Sequence, residues 1–391
     1  MKKKTIDLIT CPNLHKGSFT VYAKEVLRGS KRLQNLNQKE LNIDDDIQTG
    51  VLINELSGSA YPIIHSIAVL MADDDVDGGF QKKEFAPFFN DCPVKFQEII
   101  KKYLERIEKN QKSTEGTWNL EEMRYYDKGV DTDEQRENML ADIKLRPIWR
   151  LFIPRKNQIT RFLEPHCRNN YLLEIGCGNA RTISWILPPA QFNYHYIGID
   201  ISFKRLLVAK RNIPEGDFIQ ASACNLPFKN DSFHSIVSFG MLHHLPRSLD
   251  CLRDLDAKIK DNGFLAFHEP ILKPKLFAGL ESKLRVEKSI IKKFLTSYEY
   301  NEHDNEIDSE GFLVWVKKSD YKIINLKYYN SVFKTFIEIL LRFLPAKIRG
   351  SKLMVKIITA LDVMCLKTIC KISKRLGPHA IIGVFKKGKV E

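Results

Sequence analysis

Tyr171-Leu-Leu-Glu-Ile-Gly-Cys-Gly-Asn-Ala-Arg181, followed by Tyr194-His-Tyr-Ile-Gly-Ile-Asp200, is the stretch whose reading decides the fold. Tyr171 to Ile175 reads as a short buried strand, Gly176 to Asn179 as a tight turn, and Ala180 to Leu187 as the opening of a helix. Tyr194 to Ile199 is a second apolar strand, and it delivers an acid, Asp200. Strand, helix and strand in that order make a βαβ unit. Glycines at 176 and 178 let the backbone pass close to a ligand with no Cβ in the way, and the turn presents N–H groups beside a helix N-terminus. A carboxylate at the end of the next strand is placed to accept two hydrogen bonds from a ribose diol. Arg181 stands where a dinucleotide fingerprint needs its third small residue, which argues against NAD.

Three further segments follow in order: Cys224-Asn-Leu-Pro-Phe-Lys-Asn-Asp-Ser-Phe233, Ser238-Phe-Gly-Met-Leu-His-His-Leu-Pro246 and Asp261-Asn-Gly-Phe-Leu-Ala-Phe-His-Glu-Pro270. Together with Glu174-Ile-Gly-Cys-Gly178 and Asp200, they resemble class I S-adenosylmethionine-dependent methyltransferases, in the type 11 subgroup that includes ubiquinone and menaquinone biosynthesis enzymes. The resemblance implies an α/β fold with a seven-stranded doubly wound, Rossmann-like sheet, and S-adenosyl-L-methionine as cofactor. It puts Gly176, Cys177 and Gly178 under the methionine moiety, with Glu174 near its amino group. Asp200 falls on the ribose hydroxyls, Ile201 on the adenine face, and Ser222, Ala223 and Cys224 at the adenine edge; Phe239 joins the cofactor contacts. Two positions depart from the family, which has Asp where Ser222 and His234 stand. A hydroxyl at 222 is a weaker acceptor for the adenine amino group than a carboxylate.

Methyl transfer is an in-line displacement that depends mainly on alignment, although an acceptor hydroxyl benefits from a base. His243 and His244 come just after the fourth strand, at the carboxyl edge where α/β folds bind ligands, and are the catalytic candidates. His268 and Glu269, ending the fifth strand, are candidates on the substrate side. So is His303, in an Asn301-Glu-His303 segment similar to one in sugar- and surface-polysaccharide-cluster methyltransferases. Ser238-Phe-Gly-Met241 is not the Pro-Pro loop of nucleobase amino methylation, and no Pro-Cys dipeptide offers a cytosine nucleophile. Oxygen or carbon acceptors remain, on a small metabolite or a glycan- or lipid-linked intermediate. A tRNA-modifying enzyme and a non-catalytic cofactor-binding protein are the rival readings.

Residues 1–71 form a first module. Cys11-Pro-Asn-Leu14 and the run from Gly50 to Ile63 resemble the small zinc-ribbon-like domain that activates several methyltransferases. Its four ligand positions are here Cys11, Leu14, Asn54 and Ser57, so one thiol remains where a structural zinc wants four ligands, and no metal is expected. Residues 72–145 read as an acidic linker and a helical bridge, with Phe96, Ile99, Ile100, Tyr103, Leu104 and Ile107 at helical spacing. The methyltransferase domain spans 146–391. Its lead-in carries Trp149, Phe152 and Arg155, and its last two strands are expected at Tyr321 to Tyr328 and Ala380 to Lys386. Between those strands, residues 331–377 hold ten Lys or Arg against Glu338 and Asp362 and read as basic amphipathic helices. Such an insertion serves as lid, dimer interface or anionic-membrane contact.

The chain of 391 residues is 43% hydrophobic and carries a net charge of +13, which excludes global disorder and invites an anionic partner, a membrane surface before nucleic acid. Its eight cysteines include no C-x-x-C pair, which suggests reduced thiols and a cytoplasmic protein, and the basic insertion suggests a peripheral place at the inner membrane face. No apolar run reads as a signal peptide or a membrane span.

Overall fold

The computed structural model describes residues 1–75, 78–86, 88–111, 118–127, 159, 162–245, 248–270, 315, 318–329 and 380–388. The chain divides into two compact units. The first comprises Met1–Gln135, His166–Ile236 and Arg253–Gly263; the second comprises Arg136–Pro165, Val237–Leu252 and Phe264–Glu391.

The first unit opens with a short helix α1 (Lys3–Ile6), then β1 (Thr20–Arg28), β2 (Lys31–Asn37), β3 (Asp46–Asn54) and β4 (Ser59–Ile64), all joined antiparallel. A two-residue turn at His65 and Ser66, both at positive φ, leads to β5 (Ile67–Val69), the geometry that suits a tight hairpin. Helices α2 (Gly78–Phe85), α3 (Val94–Gln111) and α4 (Trp118–Asp127) follow. Phe96, Ile100, Tyr103 and Ile107 of the expected α3 stripe are buried, and the Tyr103 ring lies 5.8 Å from that of Tyr61 on β4. Next come β6 (Tyr171–Ile175), α5 (Arg181–Ile186), α6 (Pro189–Phe192), β7 (His195–Asp200), α7 (Phe203–Asn212) and β8 (Asp217–Gln220). Strands β6, β7 and β8 are parallel, with Glu174 opposite Gly198 and Asp200 opposite Gln220. Beyond them run β9 (Phe233–Phe239), α8 (Ser248–Lys258), β10 (Ile259–Pro270), β11 (Tyr321–Tyr329) and β12 (Ala380–Lys387). In the second unit, β12 pairs antiparallel with both β10 and β11.

The strand order in the first unit is β6-β7-β8-β5-β4-β3-β1-β2. The parallel ladder β6-β7-β8 is therefore extended at its β8 edge, where the expected seven-stranded sheet would end. β5 pairs parallel with β8, Ile67 opposite Phe218 and Val69 opposite Gln220, and the Leu70 N–H donates to the Gln220 carbonyl at 2.8 Å. The physical reason is an edge: β8 ends the βαβ ladder with open N–H and C=O groups, and the buried Ile67-Ala68-Val69 supplies partners for them. The N-terminal segment reinforces the join, since Thr10 N–H donates to Pro227 O at 2.9 Å and Lys229 N–H to Leu8 O at 2.8 Å.

Three of the four ligand positions of the zinc-ribbon-like pattern meet in this unit. Cys11 Sγ is 3.3 Å from Ser57 Oγ and 3.3 Å from the Tyr61 hydroxyl, and Asn54 Oδ1 accepts the Ser57 N–H at 2.9 Å. Leu14 is 38% exposed. Arg106 of α3 donates to Ser57 O and Ser59 Oγ and pairs with Asp73 at 2.7 Å, tying helix to sheet.

Cys11, Cys92, Cys167 and Cys177 are free and buried, whereas Cys224 and Cys251 are disulfide-bonded, a departure from the all-thiol expectation. The basic segment 331–377, the lead-in residues Trp149, Phe152 and Arg155, and His303 lie outside the described residues. Among those described, no helix is long and apolar enough to cross a membrane.

Candidate functional site

The glycine turn after β6 is built on backbone. The Cys177 N–H donates to Ile199 O at 2.9 Å, anchoring the turn to β7, and the Ala180 N–H returns to Cys177 O at 2.8 Å. Gly178 sits at φ +53, which a side chain tolerates poorly. That conformation aims its N–H at Asp200 Oδ2, 2.8 Å away, while the Ser202 N–H donates to Asp200 Oδ1 at 2.9 Å. Two N–H bonds thus fix the acid, and each carboxylate oxygen keeps a lone pair for a further donor. Burial raises the Asp200 carboxyl above its ordinary value, opposed by Arg205 and by these N–H bonds.

Glu174, the fourth residue of β6, is wholly buried, and burial pushes its carboxyl up to about 8, against a hydrogen bond from the Tyr196 hydroxyl. Gly198 makes that contact possible: a Cβ there would come within 2.9 Å of Cys177 Sγ and 3.0 Å of the Tyr196 hydroxyl. Cys177 is a buried thiol, raised by that burial and so unreactive.

Residues 173–267 match the family described as "Methyltransferase domain". This segment is a methyltransferase domain. An uncharacterized protein of Methanocaldococcus jannaschii is 29% identical over 192 residues, 43% of this chain and 71% of that one. A tRNA (carboxymethyluridine(34)-5-O)-methyltransferase of Arabidopsis thaliana is 29% identical over 111 residues, 28% of this chain and 26% of that protein. The phthiotriol/phenolphthiotriol dimycocerosates methyltransferase 1 of Mycobacterium ulcerans is 28% identical over 101 residues, 25% of this chain and 36% of that protein. The chain thus spans about a quarter to a third of the length of these two named enzymes.

The methyltransferase domain uses S-adenosylmethionine, and the residues of the first unit fit it. A buried carboxyl such as Glu174 suits a cation, which the cofactor's ammonium would supply, and the immobilised Asp200 suits a diol. The adenine-edge candidates are placed less simply. Ser222 is buried, and its Oγ accepts the Cys224 N–H at 3.3 Å, so part of its capacity serves the turn. Ala223 is half-buried. Cys224 is exposed and, as a half-cystine, offers no thiol. Ile201 is half-buried, and its carbonyl accepts from the Gln220 amide at 2.9 Å.

In the second unit the structure brings together two candidates that lie 26 residues apart. His243 Nδ1 is 3.0 Å from Glu269 Oε2, with Glu269 wholly buried. Its other oxygen, Oε1, accepts from Ser238 Oγ at 3.0 Å and from the Met241 N–H at 3.1 Å. A carboxylate only accepts, so Nδ1 carries the proton and Nε2 of a neutral His243 keeps its lone pair. The His244 ring lies 3.9 Å from that of His243, tilted by 39°. His268 contributes its carbonyl, which takes the Gly240 N–H at 2.8 Å, and its side chain is half-buried, as is Phe239 at the end of β9.

Tyr196, Gly198 and Arg205 did not emerge from the sequence. A period-two reading of β7 carries the signal for the first two, since Tyr196, Gly198 and Asp200 share one strand face. Nothing local marks Arg205.

Proposed function

We propose that the chain transfers a methyl group from S-adenosylmethionine to a hydroxyl oxygen on a small metabolite or a glycan- or lipid-linked intermediate, with His243 as the base. The observation that carries this reading is the buried Glu269 holding His243 by Nδ1. A buried carboxylate engaged by three donors fixes the orientation and tautomer of the imidazole it meets, as a general base requires. The cofactor supplies an electrophilic methyl group. In the first unit, Glu174, the glycine turn and Asp200 would hold that donor; in the second, His243 Nε2 would accept the proton of a substrate hydroxyl and Glu269 would stabilise the resulting imidazolium.

The test uses methyl-labelled cofactor and fractionated cell extract, asking which class of molecule takes up label. His243→Asn keeps a donor toward Glu269 and removes the second nitrogen. Label transfer should fall about 100-fold or more while cofactor affinity stays unchanged. Transfer at the wild-type rate by this variant would remove His243 from the chemistry. A net charge of +13 and the similarity to a tRNA methyltransferase favour RNA as the second reading, and label in the tRNA fraction would establish it. For a lipid-linked acceptor, the basic segment 331–377 meets the anionic surface, and the protein should float with vesicles containing anionic lipid but not with neutral ones.

A further inference from the structure

Arg205 stands in the first turn of α7, where its N–H donates to the cap residue Ser202 Oγ at 3.2 Å. Its guanidinium lies over the Tyr126 ring of α4, 4.1 Å from the centroid. It also reaches the glycine turn, with Nη1 3.9 Å from where a Cβ on Gly178 would sit. Among the described residues, no acceptor takes a hydrogen bond from this guanidinium, although Arg205 is the strongest charge opposing the burial of Asp200. A half-buried arginine with a fixed plane and unspent donors, set beside the ribose-binding acid, is prepared for a ligand oxygen.

The platform beneath it is tied down independently. Asp127, the last residue of α4, accepts the Ser202 hydroxyl at 2.5 Å, and its carbonyl accepts from Lys204 Nζ at 3.0 Å. Met123 of the same helix accepts from the Gln220 amide at 3.4 Å, at the end of β8. Helix α4 therefore grips the chain just beyond the carboxyl ends of β7 and β8, although it precedes the family-matched segment 173–267.

We propose that Arg205 is a ribose-contact residue of the cofactor site and that α4, through Tyr126 and Asp127, is the element that positions it. A ribose diol has two protons to give and lone pairs to fill. Asp200 accepts the protons, and the guanidinium donates to a hydroxyl oxygen, so both needs are met from one side of the sugar. The inference rests on the S-adenosylmethionine reading of this site and adds to it a residue from α7 and a helix from outside the family-matched segment.

Titration calorimetry with S-adenosylhomocysteine and its 2′-deoxy and 3′-deoxy forms tests it on the full chain. Arg205→Gln should weaken S-adenosylhomocysteine about tenfold or more, as expected for loss of a charge-assisted hydrogen bond. One of the two deoxy ligands should bind the wild type with a similar loss, and Arg205→Gln should then cost nothing further. Tyr126→Leu, which keeps apolar bulk under the guanidinium, should produce a smaller loss of the same kind. Two results would overturn the proposal: unchanged affinity in Arg205→Gln, or an equal penalty with the natural and both deoxy ligands, which marks a general electrostatic role. A folded wild type that gives no heat with S-adenosylhomocysteine, where Asp200→Asn also changes nothing, overturns the cofactor reading itself and this inference with it.

Discussion

At the scale of single residues, Glu174 makes the sharpest statement. Its carboxyl, ordinarily near 4.5, is held at about 8 by burial. A carboxyl raised in this way stays protonated in the folded chain while the unfolded chain has already released its proton. The folded state is therefore penalised as pH rises from about 4.5 toward 8, and the penalty is constant above that. Denaturant midpoints of the cofactor-free protein should fall across this window, and Glu174→Gln should flatten the decline. The cofactor's ammonium favours the ionised carboxylate, so S-adenosylmethionine binding at pH 7 should release close to one proton, read as a dependence of the calorimetric heat on buffer ionisation enthalpy. Gly198 yields a second expectation. A Cβ there meets Cys177 Sγ, Phe218 and Tyr196 at 2.9 to 3.0 Å, so Gly198→Ala should cost about 1–3 kcal/mol in denaturant unfolding and weaken cofactor binding by displacing Tyr196 from Glu174.

At the scale of elements, the consequential pairing is β5 with β8. Three residues, Ile67, Ala68 and Val69, join the N-terminal strands to the βαβ ladder. Val69 is 1% exposed, and Val69→Asp places an unpaired charge in that ladder, with an expected loss of about 3 kcal/mol or more. A fragment ending at residue 71 exposes β5 along the edge that β8 covers, so it should show no cooperative thermal transition by calorimetry. An independently melting 1–71 fragment would mean that the shared sheet contributes little. α3 follows its sequence more directly: Phe96, Ile100, Tyr103 and Ile107 recur at three- and four-residue steps, and all four are buried. The periodicity carried that information because the helix buries one face against one neighbour.

At the scale of the whole molecule, an N-terminal module, a bridging helix and a methyltransferase segment contribute to one unit. Asp217, on β8, accepts both the Lys2 N–H at 2.7 Å and the Thr5 hydroxyl at 2.5 Å, fastening the start of the chain to the strand that precedes Ser222. Loss of that acceptor in Asp217→Ala should lower the thermal midpoint by several degrees, because two buried or part-buried donors lose their partner. Residues 331–377, with their surplus of basic side chains, are the part of the molecule whose role rests on the flotation experiment.

The sequence determined the βαβ unit, the glycine turn and the place of Asp200 at a strand end, because each is local: a strand period, a turn that needs positive φ, an acid at a strand end. It also held α3 in its apolar stripe. Only the tertiary structure decided that β5 continues the sheet, that His243 Nδ1 meets Glu269, that Tyr196 reaches Glu174 across Gly198, and that Arg205 lies on Tyr126. Those contacts join residues far apart in the chain, and a pattern of neighbours along the backbone carries no information about which distant edge, ring or carboxylate the fold will bring against it.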